Sequence, residues 1–404
     1  MRPPVCRPRR SQGRTAIVLA AVLCVSLLAA ACASNKSTNP LREVTITDAQ
    51  NLPVIPRPRL HMNWRKTLVE YQPFAGNPLQ YSKPTVSPDG DHVFVGTSSG
   101  WMVAVNAHTG QTDWKVNFGS RIDSEPAFMA VDNEDFILFG DDDGNFRSIS
   151  ADDGSEIWSY KTTAEIDGGG ELAEGRVFFL NSADELYALD ARTGKYLWTY
   201  GRELPDYFTL GNASRPLVHE GTVISGFADG FLTALYLDTG EEIWEADLRN
   251  GERDFTDVDG QPVVAGDMLY AASHAGGLYA LNVKSGRILW RQDITGASTS
   301  LVAGDTLYTT TAGRRVMALD RKTGQILWQY RHKESTPSTP TRLGGYLSYG
   351  DSNDGFYMID RSSGYPLLHF ESGSGFSAPV TFFDTRAYGL SNNGYLYSFE
   401  VVAR

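Results

Sequence analysis

The sequence predicts an all-β fold, namely an eight-bladed β-propeller built from four-stranded antiparallel blades. A motif of the form Leu-Asp-x-x-Thr-Gly-x-x-x-Trp, with close variants, recurs at steps of 38 to 46 residues, which is the length of one such blade. Glycine (40), tyrosine (19) and phenylalanine (19) are abundant, as expected for short strands joined by tight turns. Eight segments of the chain carry the start of this pattern, so we predict eight blades.

The first element of the chain is a predicted signal peptide, residues 1–31. Five arginines precede an uninterrupted run of apolar and small residues from Ala16 to Ala31. This run is shorter than the roughly 20 residues that a membrane-spanning helix needs, but it fits the core of a secretory signal. The sequence Leu28-Ala29-Ala30-Ala31-Cys32 resembles the lipobox of bacterial lipoproteins, which implies acylation of Cys32. The alternative is an ordinary cleaved signal that happens to contain Cys32.

Residues 32–58 are the predicted acylated cysteine and flexible tether, because they are rich in serine, asparagine, threonine and proline. All three cysteines (Cys6, Cys24 and Cys32) lie in or at the end of the signal. Their placement excludes a disulfide framework, a cysteine-ligated zinc and a cysteine nucleophile from residues 59–404, the predicted propeller.

The net charge of the chain is −12, and removal of the five signal arginines leaves 31 basic against 48 acidic residues, a net charge of −17. Such an acidic domain repels nucleic acid and anionic lipid surfaces. We therefore expect no nucleic-acid partner, and membrane attachment through the lipid anchor alone.

Within each repeat, Asp-x-x-Thr-Gly is predicted to form a hairpin turn in which the aspartate caps the turn and the glycine takes the left-handed conformation. The repeat glycine falls at Gly110, Gly154, Gly194, Gly240, Gly286, Gly324 and Gly364. Four residues later stands a tryptophan on the outermost strand, which can fill the wedge between neighbouring blades. These residues are Trp114, Trp158, Trp198, Trp244, Trp290 and Trp328, with Leu368 as the one substitution.

The first strands are predicted to begin near Pro84, Pro126, Glu171, Pro216, Pro262, Leu301, Pro340 and Pro379. The last repeat contains only three strands. We expect its outer strand to come from the N-terminal segment 61–66, where Trp64 takes the place of the repeat tryptophan. This arrangement closes the ring and leaves no exposed edge.

The repeat resembles the quinoprotein-type repeat of pyrroloquinoline-quinone (PQQ) dehydrogenases and of their non-enzymatic relatives. Among these relatives the chain resembles the BamB family, lipoprotein subunits of the outer-membrane β-barrel assembly machine, over roughly residues 32–404. The resemblance implies a lipid-anchored outer-membrane protein that faces the periplasm. It also implies docking on the POTRA domains of a BamA-like subunit and assistance in the insertion of nascent outer-membrane proteins.

Two stretches carry this resemblance in detail. The segment 253–264 contains Asp257-Val258-Asp259 and is similar to a family segment of the form Asp-Val-Asp-x-x-Pro-Val-Val, and Phe208-Thr209-Leu210-Gly211-Asn212 lies where the family has Leu-x-Leu-Arg-Gly. The resemblance implies that Phe208 and Leu210 are apolar partner contacts and that Asp257 and Asp259 are acidic ones. Gly211 stands where the family has arginine. The charged partner contact of that arginine is therefore missing or is replaced by one from Arg215. The alternative for the two aspartates is that they cap the turn entering a strand.

No pattern of catalytic or metal-binding residues stands out, so we predict a protein that is not an enzyme and has no cofactor and no metal. A quinone enzyme of this fold is expected to show an adjacent cysteine pair, and most tryptophans here belong to outer strands. The seven histidines are scattered, and the run Asp141-Asp142-Asp143-Gly144 coincides with a hairpin turn without the distal glutamate of a calcium loop. Two alternatives stay open: a propeller that binds another envelope partner or a polysaccharide, and a PQQ-dependent oxidoreductase.

Overall fold

The computed structural model describes residues 46–47, 53–54, 57–70, 79–210, 214–332 and 335–403. The predicted signal peptide and Cys32 lie outside these residues. Within them, no helix has the length and apolar character needed to span a membrane. In the predicted tether, strand β1 (Ile46–Thr47) pairs antiparallel with β2 (Pro53–Val54), an element that the composition of the tether did not predict.

Eight four-stranded antiparallel sheets form the ring, and the predicted eight-bladed propeller is confirmed. Strand β3 covers Pro58–Thr67. Blades 1 and 2 contain β4 to β11: Thr85–Val86, His92–Gly96, Trp101–Asn106, Thr112–Asn117, Ala127–Val131, Glu134–Gly140, Asn145–Ser150 and Glu156–Lys161. Blades 3 and 4 contain β12 to β19: Glu171–Ala173, Arg176–Leu180, Glu185–Asp190, Tyr196–Gly201, Leu217–His219, Thr222–Gly226, Phe231–Tyr236 and Glu242–Asp247.

The remaining blades follow the same order. Blades 5 and 6 contain β20 to β27: Val263–Ala265, Met268–Ser273, Gly277–Asn282, Ile288–Gln292, Leu301–Ala303, Thr306–Thr311, Arg315–Asp320 and Ile326–Arg331. Blade 7 contains β28 to β31: Thr341–Leu343, Tyr346–Gly350, Gly355–Asp360 and Pro366–Glu371. Blade 8 contains β32 to β34, which are Thr381–Phe383, Arg386–Leu390 and Tyr395–Ala403, and it is completed by β3.

The hydrophobic core lies between neighbouring blades, which explains the residue pattern of each strand. The second and third strands of a blade are covered on both faces, so β13 is buried from Val177 to Leu180 and reads as a continuous apolar run. The outer strands alternate instead, and in β15 only Trp198 is buried. Between blades 2 and 3, the rings of Phe146 and Phe179 stack with their centroids 4.0 Å apart.

The Asp-x-x-Thr-Gly hairpin turn has the predicted geometry. In blade 3, the backbone amide and hydroxyl of Thr193 donate hydrogen bonds to Asp190 Oδ1 at 2.8 and 2.6 Å. Gly194 has a φ of +69°, and a Cβ placed on it would lie 2.6 Å from Trp158 Cδ2. Glycine is therefore required here for two reasons: it adopts the left-handed backbone without strain, and it allows the close approach of the neighbouring tryptophan.

The repeat tryptophans contact the neighbouring blade. Each indole covers the repeat glycine of the next blade. Its Nε1–H donates a hydrogen bond of 2.7 to 3.2 Å to the carbonyl three residues before that glycine. The seven residues are Trp64, Trp114, Trp158, Trp198, Trp244, Trp290 and Trp328.

The ring is closed by the N-terminal strand, as predicted, and Trp64 lies on this strand. Strand β3 pairs antiparallel with β34 from Pro58↔Ala403 to Thr67↔Tyr395. Trp64 Nε1–H donates to the carbonyl oxygen of Ala107 in blade 1 at 3.1 Å. The first strand of each blade faces the central channel, and neighbouring first strands lie side by side around it, for example β8 between β4 and β12.

Candidate docking surface

Two loops on one face of the propeller bring the predicted partner-binding residues together. We call residues 202–210, which follow blade 3, the first docking loop, and residues 249–260, which follow blade 4, the second docking loop. The amide of Phe255 donates to the carbonyl oxygen of Phe208 at 2.7 Å, and the amide of Leu210 donates to Asp257 Oδ1 at 2.8 Å. Loops that are far apart in the chain therefore form one surface.

Phe208 and Leu210 are placed as apolar contacts would be. Phe208 is 72% exposed, the largest value among the exposed large hydrophobic residues of the described chain, and Leu210 is 37% exposed. Leu204, in the same loop, is also exposed. A group of exposed apolar side chains on a protein surface is typical of an interaction site.

Asp257 departs from the expectation of an acidic surface contact, because only 1% of it is exposed. Its carboxylate holds the first docking loop through the Leu210 amide, and its carbonyl oxygen accepts a hydrogen bond of 2.9 Å from the His274 amide. Asp257 therefore lies neither at an exposed acidic contact nor as a cap on its own turn, because its carboxylate binds the amide of the other docking loop. Asp259 is half-buried and shares with Leu210 the lining of a recess of 360 Å³.

Arg215 does not replace the family arginine on this surface. Its guanidinium lies in the central channel, where it forms ion pairs with Glu125 at 3.0 Å and Glu171 at 3.1 Å. The proposed replacement of the missing contact by Arg215 is thus wrong for geometric reasons. Gly211 and Asn212 lie outside the described residues.

Sequence reasoning missed Phe255, which belongs to the same surface. Its ring stacks on that of Phe208 with the centroids 6.0 Å apart and the planes 17° from parallel, and 43% of the residue is exposed. The available signal was a large apolar residue in a loop between the charged pair Arg253-Asp254 and Asp257.

The base of the first docking loop is fixed by Arg202. Its Nε donates to Asp229 Oδ2 at 2.6 Å, and its Nη1 donates to Glu245 at 3.2 Å. Nearby, the backbone amide of Ala228 donates to Asp184 Oδ2 at 2.9 Å. Burial raises the pKa of Asp184 to about 7, against the opposing effect of this hydrogen bond. Charged and titratable groups therefore lie at the base of the first docking loop.

The central channel holds a cavity of 680 Å³, and most of its charged lining residues come from blades 1 to 4, with Asp259 and Arg342 on the other side. In blades 1 to 4, Lys83, Glu125, Glu171 and Arg215 form a chain of ion pairs, in which Lys83 Nζ lies 2.8 Å from Glu125. The lining residues of the next three blades include Gln261, Ser300 and Thr339. The glycine run 168–170 allows close packing here, since a Cβ on Gly170 would lie 2.7 Å from the ring of Phe146.

In the described part of the chain, no three or more histidine, cysteine, aspartate and glutamate side chains are grouped as a metal site would require. The Asp141 carboxylate instead accepts hydrogen bonds from the Asn145 amide at 2.8 Å and from Arg147 Nε at 3.1 Å. This arrangement is the hairpin-turn role predicted for the 141–144 segment.

Comparison with known proteins gives consistent results. The family model described as outer membrane protein assembly factor BamB matches residues 62–165 and 98–330. The BamB of Shewanella oneidensis is 26% identical over 94% of this chain and 97% of its own length, and that of Yersinia pestis is 26% identical over 79% and 84%.

Among solved structures, BamB from Moraxella catarrhalis superposes with a TM-score of 0.71 at 20% identity, over 85% of this chain and all of that one. A quinohemoprotein alcohol dehydrogenase from Pseudomonas putida superposes with a TM-score of 0.70 at 12% identity, over 84% of this chain and 76% of that one. At these identities the likeness shows a shared fold.

Proposed function

We infer that this chain, which belongs to the BamB family of outer membrane protein assembly factors, is a non-enzymatic scaffold of the outer-membrane β-barrel assembly machinery. In this proposal the propeller docks on the POTRA domains of a BamA-like subunit and assists the insertion of nascent outer-membrane proteins. The observation that carries the proposal is Phe208, which is 72% exposed on a loop joined to the next loop by one backbone hydrogen bond and by the Asp257 carboxylate.

Rigidity makes this surface suitable for docking. Phe208 and Leu210 are tied to the second docking loop through the Phe255 amide and the buried Asp257 carboxylate. Because these contacts already order the loops, binding costs little further conformational entropy. A propeller contributes to such an assembly by holding its loops in fixed positions.

The proposed location is the outer membrane, with the propeller facing the periplasm and Cys32 acylated. The net charge of −17 for residues 32–404 supports an anchor that acts through lipid, since the protein body is repelled by anionic headgroups. Metabolic labelling with a fatty acid tests the anchor. We expect label on the wild-type protein and none on a Cys32→Ser variant, and label that persists in the variant would contradict the acylation site.

Crosslinking in intact cells tests the docking. A photoreactive phenylalanine analogue at position 208 places the probe on the exposed ring, whereas position 257 would bury it. A matched control carries the probe at Lys284, an exposed residue in the hairpin turn at the opposite end of blade 5. We expect capture of the BamA-like subunit from position 208 only. Capture of a different envelope protein from that position would favour the alternative of another envelope partner.

A further inference from the structure

The strongest unexplained feature of the molecule is the conformation of Phe255. Its φ is +57°, in the left-handed region, where a residue with a Cβ is strained by about 1 to 2 kcal/mol. Two backbone hydrogen bonds hold it there, from its own amide to Phe208 at 2.7 Å and from the Ala275 amide to its carbonyl oxygen at 2.8 Å. The strained backbone turns a large ring toward water, which adds little to the stability of the isolated fold.

The stacked pair of Phe255 and Phe208 presents one continuous aromatic surface. The two rings come from different docking loops, and each loop is fixed to the other through the backbone. Aromatic rings that are already ordered bury a large area on binding at low entropic cost, and they are frequent among the residues that dominate interface energies. The pair thus has the form of an anchor prepared for a partner.

The surroundings of the pair are acidic. The two docking loops contain six carboxylates and three arginines, a net charge of −3. Four of these carboxylates belong to exposed residues, namely Glu203, Asp206, Glu252 and Asp254. Two of the arginines are paired with carboxylates, Arg202 with Asp229 and Arg249 with Asp247 at 2.7 Å. The rim therefore favours a positively charged partner and disfavours anionic lipid or a second copy of this acidic chain.

We propose that Phe208 and Phe255 together form the anchor of the docking surface, and that the partner is a folded periplasmic domain whose apolar pocket is bordered by lysine or arginine. This inference rests on the proposed function, in which that domain belongs to the BamA-like subunit. It adds Phe255 as a residue that determines affinity, and it assigns the sign of charge that the partner surface carries.

The test is an equilibrium binding measurement between the purified lipoprotein and the full-length BamA-like subunit in detergent. Phe255→Ala and Phe208→Ala are each expected to weaken binding by about ten-fold or more, as truncation of an anchor residue does. Because the two rings act as one unit, the double variant is expected to bind less than ten-fold more weakly than either single variant. Tyr236→Ala, which removes a 52% exposed aromatic residue at the opposite end of blade 4, is the matched control and is expected to bind like the wild type.

A Phe255→Gly variant separates binding from folding. Glycine removes the ring and relaxes the left-handed backbone, so its thermal unfolding midpoint should equal or exceed that of Phe255→Ala while its binding stays equally weak. If Phe255→Ala binds like the wild type while Phe208→Ala binds weakly, the shared anchor is refuted. If the wild-type chain does not bind the BamA-like subunit at all, the proposed function fails and this inference fails with it.

The charge assignment has its own measurement. Lysine substitutions at Glu252 and Asp254 are expected to weaken binding, and added salt is expected to weaken binding of the wild type more than that of this variant. Stronger binding after the charge reversal would overturn the basic partner surface.

Discussion

Replacement of Trp198 with alanine tests whether the repeat tryptophan joins neighbouring blades. The residue is 7% exposed, its Nε1–H donates to the Leu237 carbonyl oxygen at 3.0 Å, and its ring lies 5.8 Å from that of Phe178. Loss of a buried tryptophan costs about 3 to 5 kcal/mol, including about 1 kcal/mol for the hydrogen bond. For a propeller of about 350 residues, the unfolding entropy is about 0.7 kcal/mol per kelvin, so the thermal midpoint should fall by about 4 to 7 °C.

The partner of this indole in the next blade gives a second, sharper result. A Cβ at Gly240 would lie 2.6 Å from Trp198 Cε3, and the φ of Gly240 is +71°. Gly240→Ala alone therefore carries both a backbone strain of about 1 kcal/mol and a clash of about 1 to 3 kcal/mol. In the Trp198→Ala background the ring is gone and only the backbone strain is left. The destabilisation of the double variant should therefore be about 1 to 3 kcal/mol smaller than the sum of the two single destabilisations.

Differential scanning calorimetry of the wild type, both single variants and the double variant provides this cycle. Tyr365→Ala is the control and should change the midpoint little, because 57% of this aromatic residue of blade 7 is exposed. The reasoning is refuted if Trp198→Ala lowers the midpoint by less than about 1 °C, or if the two substitutions are fully additive.

Four further outcomes are expected. Asp257→Ala should speed hydrogen exchange at the Leu210 amide and weaken partner binding, because the carboxylate that caps this amide is lost; unchanged exchange would contradict its positioning role. Asp184→Asn should stabilise the fold at pH 8 by about 2 to 4 kcal/mol and have little effect at pH 4. Because the folded pKa of Asp184 is about 7, the wild type loses stability as this carboxyl ionises with rising pH. Calorimetry at both pH values checks the sign of the effect. Burial lowers the pKa of His332, so the contribution of the neutral imidazole to folding stability is complete above pH 6.5 and is lost as the pH falls below that value. His332→Gln should therefore reduce the difference between the thermal unfolding midpoints at pH 7.5 and pH 5.5. Finally, added PQQ and calcium should give no dye reduction with an alcohol substrate, and a stoichiometric quinone-dependent rate would revive the oxidoreductase alternative.

The fold was predictable from the sequence because the residues that determine the geometry of each repeat lie close together in the chain. The capping aspartate, the left-handed glycine and the tryptophan occur within one stretch of about ten residues, so their spacing reveals the turn and the outer strand together. The N-terminal strand was predicted differently, because the last repeat lacks its fourth strand and Trp64 supplies the missing repeat tryptophan. The hydrogen bonds of the Asp-x-x-Thr-Gly turn join residues at a fixed spacing along the chain, and a sequence shows such spacing directly.

The candidate site was only partly predictable, because its geometry depends on contacts between loops. A sequence shows that residue 257 is an aspartate, but not that its carboxylate is buried and accepts a hydrogen bond from the Leu210 amide, 47 residues earlier. Arg215 stands close to Phe208 in the sequence, yet the start of blade 4 turns it into the channel toward Glu125 and Glu171. The left-handed backbone of Phe255 has no signature in its residue type, since aromatic side chains rarely adopt it.

Leu368 shows that the exceptions in the repeat follow the same physical rule as the repeat itself. Each repeat tryptophan packs on the glycine of the hairpin that joins the third and fourth strands of the next blade. In blade 8 the fourth strand is β3, which comes from the N-terminal end of the chain, so no hairpin joins it to β34. An indole at position 368 would therefore have no repeat glycine to cover. Leucine packs there instead within a cluster that includes Leu60, Phe370 and Val401, and the loss of tryptophan at this position is a consequence of how the ring closes.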